Sequence, residues 1–172
     1  MKELTFNKSM IEEAQEWADN LGAIKNSITK GKGNYVGRLG ELALAKHIGA
    51  GEAQDQSGYD LIFNDKKIEV KTKRRAVPPR ENYLVNIAET SKHQSPDIYA
   101  FISAQFNTHK KGKYTGLEKL WLCGYKSSED YFNQATFYAK GDKDPDMPLY
   151  KFSASCYVMR IRDLDDRLLN AV

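Results

Sequence analysis

The chain has 172 residues, 41% of them hydrophobic and 28% charged, which suits one globular domain spanning residues 1–172. No apolar run approaches the roughly 18–20 residues of a transmembrane helix, and the N-terminus lacks the apolar stretch of a signal peptide. We therefore expect a soluble cytoplasmic protein without membrane contact. The net charge of +3 does not by itself indicate a partner.

The first predicted element is an amphipathic helix. Ser9 and Glu12 form a capping box, and apolar residues recur at helical spacing as far as Leu21, before Gly22. Helical periodicity is then lost in residues 23–34, which gather glycine, lysine and asparagine and are predicted to form a loop.

A second helix is predicted from Val36 to Ile48, with Gly49 as its C-terminal stop. Glu41 lies on the apolar side of this helix, where an unpaired carboxylate would be costly. Its partner is either a salt bridge to Arg38 or Lys46, or a metal ion. The helix alone leaves both alternatives open.

A β-hairpin is predicted next, because two runs of β-branched and aromatic residues flank Asn64-Asp65, a dipeptide typical of tight two-residue loops. The predicted pairs are Phe63 with Lys66, Ile62 with Lys67, Leu61 with Ile68, and Asp60 with Glu69. Side chains alternate along a strand, so Asp60, Glu69 and Lys71 share one face. A turn different by one residue would bring Asp60 opposite Lys71 and keep the cluster.

Two opposed carboxylates repel each other unless something neutralises them. One alternative is that Asp60, Glu69 and Lys71 are simply the solvated face of an amphipathic hairpin. The other is a divalent cation, since Mg²⁺ typically binds one or two carboxylates together with water and a substrate phosphate.

The rest of the chain alternates strands and short helices. The predicted order is a basic loop (73–82) with two prolines, a third strand (83–87), a short helix within 88–96, a central strand covered on both faces (97–106) and a fifth strand (118–126). A helix from Ser127 toward Gly141, a turn-rich connector (141–148), a last strand (155–161) and a terminal helix from Asp163 to Leu169 follow. Cys123 and Cys156 lie in apolar strand-like segments and are predicted to be buried thiols.

The hairpin resembles the signature of the PD-(D/E)xK nucleases. In that family an acid at the start of one strand is followed by Glu or Asp, any residue and Lys on the next strand; here these are Asp60 and Glu69-Val70-Lys71. Many members also carry a glutamate on the preceding helix, as Glu41 would be. The sequence departs from the motif in having Tyr59 rather than proline before the acid. The resemblance covers residues 35–126.

The resemblance implies an α/β protein with a restriction-endonuclease-like αβββαβ core, in which helices flank a central mixed sheet. The N-terminal helix and the C-terminal strand and helix would be additions to that core.

The resemblance also implies hydrolysis of DNA phosphodiester bonds with Mg²⁺ or Mn²⁺. Asp60 and Glu69 would bind the metal, with the carbonyl of Val70 as a further ligand and Glu41 as an outer or second-metal ligand. Lys71 would orient the attacking water and offset negative charge. The residues expected to contact DNA are Lys73, Arg74, Arg75, Arg80, Lys92 and Gln94, the last two lying where some relatives place an auxiliary active-site residue.

The kind of nuclease stays open in the sequence. An endonuclease acting as a homodimer is expected, because one site cuts one strand and a two-fold axis supplies the second site. The alternatives are a Holliday-junction resolvase or an exonuclease of the same fold, a catalytically inactive nucleic-acid-binding relative, and an unrelated partner-binding domain. The small size suits a stand-alone phage or mobile-element enzyme.

Overall fold

The structure, a computed structural model, describes residues 1–21, 33–50, 58–110, 112, 114–147 and 149–166. Within these residues it is an α/β protein with three α-helices and two sheets. The helices are α1 (Lys8–Leu21), α2 (Asn34–Ile48) and α3 (Ser128–Gln134). The strands are β1 (Lys2–Leu4), β2 (Leu61–Phe63), β3 (Lys66–Arg75), β4 (Leu84–Ala88), β5 (Ile98–Phe106), β6 (Leu117–Ser127), β7 (Thr136–Tyr138) and β8 (Cys156–Arg160).

The larger sheet is mixed, as predicted. Its strand order is β1-β6-β5-β3-β2, with β3 and β5 parallel and the other neighbours antiparallel. The smaller sheet, β4-β8-β7, is antiparallel throughout. The strand β1 was not predicted; it pairs with β6 along the edge of the larger sheet.

The third predicted strand is present, but it does not continue the sheet of the hairpin. Instead β4 pairs with β8 in the smaller sheet, from Leu84 opposite Arg160 to Ala88 opposite Cys156. Val85 and Ile87 are its buried side chains, so β4 packs its apolar face against the larger sheet rather than pairing along an edge of it. The predicted order of a helix, three strands, a short helical turn and a strand is therefore present, but the third strand lies outside the central sheet to which the prediction assigned it. The short helix predicted after β4 is a single 3₁₀ turn, Glu89–Ser91.

Two apolar clusters lie on opposite faces of the larger sheet. The first joins α1 and α2 to the sheet through residues such as Leu39, Leu44 and Val70. The second lies between the two sheets and includes Phe101 and Tyr131. From Ile98 to Ile102, successive residues of β5 alternate between the two clusters, which confirms the prediction of a central strand covered on both faces.

The predicted helix ends are confirmed in part. Gly49 ends α2 with a φ of 71°, a left-handed conformation that favours glycine. The start of α1 was predicted wrongly: the backbone N–H of Met10 donates to Asn7 Oδ1 (3.0 Å), so Asn7 caps the helix and Ser9 lies inside it. Most of the loop predicted at 23–34 lies outside the described residues.

The C-terminal part differs from the prediction after α3 begins. Ser127 caps α3 as predicted, accepting from the backbone N–H of Asp130 (3.1 Å). The helix predicted to continue toward Gly141 instead ends at Gln134, because Thr136–Tyr138 pair with the free edge of β8. Residues 167–172, where a terminal helix was predicted, are not among those described.

Membrane-spanning helices and the two cysteines were also the subject of predictions from composition. In the described ranges no helix is long and apolar enough to span a membrane. Cys123 and Cys156 are buried free thiols, as predicted.

Candidate active site

The β2–β3 hairpin has the predicted register. Phe63 pairs with Lys66 and Leu61 with Ile68, on either side of a two-residue loop. The loop residues Asn64 and Asp65 have φ values of 48° and 58°, as a type I′ turn requires. This turn fixes which residues of β3 stand beside the start of β2.

Asp60 lies immediately before β2 rather than inside the ladder, so it is not a strand pair of Glu69. Its backbone N–H donates to the carbonyl of Ile68 (2.8 Å), and its Oδ2 accepts from the backbone N–H of Val70 (2.7 Å). The carboxylate is thereby turned back over the first half of β3. The predicted proximity to Glu69 is achieved by this irregular contact.

The electrostatics show that three acids lie close together. Burial of Asp60 raises the pKa of its carboxyl to about 8, and the negative charges of Glu41 and Glu69 add to the increase. The N–H of Val70 and the charge of Lys71 act in the opposite direction. The structure thus brings Glu41 of α2 to the same place as the acids of the hairpin.

Lys71 joins Glu69 to Gln94. Its Nζ donates to Glu69 Oε1 (2.6 Å) and to Gln94 Oε1 (3.4 Å). Glu69 is 7% exposed, so this ion pair is largely shielded from water. Gln94, which the sequence indicated as an auxiliary residue, therefore lies beside Lys71.

Glu41 has the partner that the simpler alternative predicted. Arg38 donates through Nη1 to Glu41 Oε2 (3.3 Å) and through Nη2 to Glu13 Oε1 (2.8 Å), which links α2 to α1. This ion pair does not remove Glu41 from the cluster, because the charge of Glu41 still raises the pKa of Asp60.

A glycine sets the distance between α2 and β3. A Cβ built on Gly40 would lie 2.0 Å from Thr72 Oγ1 and 3.1 Å from Thr72 Cβ, closer than side-chain atoms can approach. The backbone of α2 at Gly40, one residue before Glu41, therefore packs directly on the side chain of Thr72 in β3. This close approach holds Glu41 near Asp60.

The donors fit a hard divalent cation in kind. Asp60 and Glu69 offer carboxylate oxygens. The charges of Glu41 and Glu69, which add to the effect of burial in raising the pKa of Asp60, are ones that a cation would offset. The ammonium of Lys71 already contacts one carboxylate oxygen of Glu69 and offsets part of the negative charge of the site. Across the described ranges, no three or more His, Cys, Asp or Glu side chains converge as a complete ligand group.

The basic residues after the motif do not form one surface. Lys73 Nζ reaches the carbonyl of Leu84 (3.5 Å) and Asn86 Oδ1 (3.4 Å). Arg75 donates to Ser103 Oγ (3.0 Å) and to the same carbonyl of Leu84 (2.9 Å). Both side chains therefore connect β3 to the outer edge of β4.

The other predicted DNA contacts are dispersed. The guanidinium of Arg74 lies 4.0 Å from the ring centroid of Phe106, on the helix-covered face of the sheet. Arg80 is exposed beside Tyr83, and Lys92 donates to the hydroxyl of Tyr157 (3.1 Å). Only Gln94 of the six residues has a hydrogen bond to Lys71 within the part of the chain that the structure describes.

Sequence reasoning missed Tyr99. This residue pairs with Glu69 across the parallel β3–β5 ladder, and its ring centroid is 6.0 Å from Lys71 Nζ. Its hydroxyl is buried and has no hydrogen-bond partner among the described residues. Burial, and then the charge of Glu69, raise the pKa of Tyr99 to about 12. The alternation of the central strand was the available signal, since it places Tyr99 on the face of Glu69 and Lys71.

No protein-family model matches this chain, and none of the curated proteins compared with it matches in sequence. The function of the site is therefore argued from its own geometry.

Proposed function

We propose that the chain is a metal-dependent DNA nuclease of the restriction-endonuclease-like class that hydrolyses phosphodiester bonds at Asp60, Glu69 and Lys71. The observation that carries the proposal is the convergence of these residues with Glu41 and Gln94 at the open end of the β2–β3 hairpin. A solvated charged face would leave such groups apart and exposed. Here Glu69 is buried, Asp60 and Glu41 are partly buried, and Asp60 has a strongly raised pKa, as is common at catalytic sites.

Each residue has a role in the proposed reaction. Asp60 and Glu69 would hold Mg²⁺ or Mn²⁺, with the carbonyl of Val70 as a further ligand and Glu41 as an outer ligand. When bound, the ion would supply a Lewis acid for the charge that develops on the phosphate and on the leaving oxygen. Lys71 would orient the attacking water and offset negative charge. Its contact with Gln94 would hold the ammonium in place when Glu69 binds the metal.

A cleavage assay with a matched lysine variant tests the proposal. The protein is incubated with supercoiled, linear duplex, single-stranded and branched DNA in Mg²⁺ or Mn²⁺. Lys71→Ala should lower the cleavage rate by roughly 100-fold or more. Lys66→Ala removes the same charge from the exposed start of β3 and should leave the rate unchanged.

The result that contradicts the proposal is equal cleavage by wild type and Lys71→Ala, or cleavage that EDTA does not abolish. The substrate panel also separates an endonuclease from an exonuclease or a Holliday-junction resolvase. If the protein cuts both strands of a plasmid, we expect it to be a homodimer, because each active site cuts one strand. Light scattering would measure this oligomeric state.

A further inference from the structure

The connector between β7 and β8 forms a hairpin that is held together by backbone hydrogen bonds. Gly141 N–H donates to the carbonyl of Phe152 (2.8 Å), and Asp144 N–H donates to the carbonyl of Tyr150 (3.0 Å). Between these bonds Lys143 and Lys151 form an antiparallel bridge. We call residues 139–147 and 149–152 the connector hairpin.

The aspartates of the connector hairpin are used inside it. Asp142 accepts from the backbone N–H of Ala139 (2.8 Å). Asp144 is 6% exposed and accepts from the N–H groups of Asp146 (2.8 Å) and Met147 (3.1 Å). Asp146 forms a bidentate ion pair with Arg160, in which Nη1 and Nη2 each donate to one carboxylate oxygen at 2.9 Å. The negative charges of this segment therefore hold its shape or are neutralised.

The lysines of the connector hairpin have the opposite character. Lys140, Lys143 and Lys151 are exposed and have no ion pair with a described residue. Lys143 and Lys151 stand directly opposite each other, an arrangement in which like charges destabilise a strand pair. An anionic partner would convert this repulsion into binding.

The tip of the connector hairpin is apolar. Leu149 is 104% exposed, and Met147 and Tyr150 beside it are about half exposed. Apolar side chains of this kind serve as wedges at the base steps of the minor groove in several classes of DNA-binding protein. An apolar tip above a pair of lysines is thus suited to a groove bordered by phosphates.

The base of the connector hairpin is tied to the candidate active site. Ser155 accepts from the N–H of Lys140 through Oγ (3.1 Å), and from the N–H of Glu89 through its carbonyl (2.9 Å). Glu89 begins the turn that leads to Gln94. Burial and then Arg75 lower the pKa of Lys73, and the nearby carboxylate of Asp144 acts in the opposite direction. The connector hairpin and β3 are therefore neighbours.

We propose that the connector hairpin is a second contact to duplex DNA, in which Lys143 and Lys151 bind backbone phosphates and Leu149 enters the minor groove. This inference rests on the proposed function for the identity of the partner. It adds a binding surface outside the cluster of Asp60, Glu69 and Lys71, and it takes its positive charge from residues that the fold does not use.

The test is DNA binding by the full chain, measured by fluorescence anisotropy with a labelled duplex in Ca²⁺, over a series of salt concentrations. Lys143→Gln/Lys151→Gln should reduce the slope of log K against log salt by roughly 2, because each phosphate contact contributes about 0.9. The matched variant Lys8→Gln/Lys46→Gln removes two exposed charges from α1 and α2 and should keep the wild-type slope. Leu149→Ser should weaken binding by roughly 10-fold without changing the slope.

The outcomes separate this inference from the function on which it rests. If both hairpin variants bind like the matched variant while wild type still cleaves DNA, the connector hairpin is not a DNA contact. If Leu149→Ser changes the oligomeric state in light scattering but not the DNA affinity, the tip joins copies of the chain and the inference is wrong. If wild type neither binds nor cleaves DNA, the proposed function fails as well.

Discussion

Substituting Gly40 by alanine tests the contact that positions Glu41. The new Cβ would lie 2.0 Å from Thr72 Oγ1, whereas ordinary contacts begin at about 3.4 Å, so helix and strand must separate by about 1.4 Å. Overpacking of this kind costs about 1–3 kcal/mol, against about 1 kcal/mol gained from the helix propensity of alanine. An overlap this severe takes the upper end of that range, so we expect Gly40→Ala to lower the free energy of unfolding by about 2 kcal/mol.

The same substitution should lower the rate of DNA cleavage, because Glu41 moves with the helix away from Asp60. Thr72 provides the control. Its Oγ1 is buried without a hydrogen-bond partner among the described residues, so Thr72→Ala removes the obstructing atom and leaves no partner unsatisfied. Gly40→Ala/Thr72→Ala should therefore recover most of both losses. Gly40→Ala/Thr72→Val keeps a branched side chain of the same size at position 72 and should recover neither.

Urea unfolding followed by circular dichroism gives the stabilities, and plasmid cleavage gives the rates. The reasoning is refuted if Gly40→Ala is as stable as wild type, or if valine at position 72 rescues as well as alanine. A rescue of stability without a rescue of cleavage would show that Glu41 does not depend on this contact.

Three further substitutions have expected outcomes. Asp60 binds its proton more tightly in the folded protein, where its pKa is about 8 against 3.8. The metal-free protein should therefore lose stability as pH rises from about 4 to about 8, by up to the order of 5 kcal/mol. Asp60→Asn should flatten this dependence in thermal melts at pH 4 and pH 9 in EDTA; equal slopes would contradict it. Arg75→Met should lower the free energy of unfolding by about 2–3 kcal/mol, since Ser103 and the carbonyl of Leu84 lose their donor, and should leave the salt dependence of DNA binding unchanged. Ser127→Ala should cost about 1 kcal/mol in urea unfolding through loss of the α3 cap, whereas Ser127→Asn, which keeps a capping oxygen and a donor for Asp130, should cost less.

The hairpin was predictable because its signals are local. A two-residue loop with positive φ fixes the register of the residues beside it, and the alternation along β3 then fixes which side chains share a face. For this reason Asp60, Glu69 and Lys71 were brought together correctly from sequence. The irregular contact of Asp60 with Val70 was not predictable, since it depends on where β2 begins.

The placement of β4 was not predictable from the same signals. Its partner β8 follows about 70 residues later in the chain, and no local pattern identifies a strand at that distance. The composition of residues 83–87 predicted a strand, but not which sheet it joins. The end of α3 at Gln134 was not predicted for a related reason. Residues 136–138 pair with the free edge of β8, and this pairing is more favourable than continuing the helix, although Tyr131, Phe132 and Tyr138 recur at helical spacing.

Basic residues that are neighbours in sequence need not form one binding surface, as the residues at the end of β3 show. Lys73, Arg74 and Arg75 are consecutive, so alternation sends Arg74 to the opposite face from its neighbours. Lys73 and Arg75 then supply hydrogen bonds to the outer edge of β4, whose carbonyls would otherwise lack donors. These cations stabilise the junction between the sheets.

The proposed binding of DNA therefore requires phosphate contacts from cations elsewhere in the fold. A bound DNA strand that met only Lys71 and Arg80 would release few counterions, and its affinity would depend weakly on salt. The lysines of the connector hairpin are exposed, carry no ion pair with a described residue, and belong to a segment tied to the turn before Gln94. A steep salt dependence that falls when Lys143 and Lys151 are replaced, but not when Arg75 is replaced, would locate the phosphate contacts on the hairpin rather than on β3.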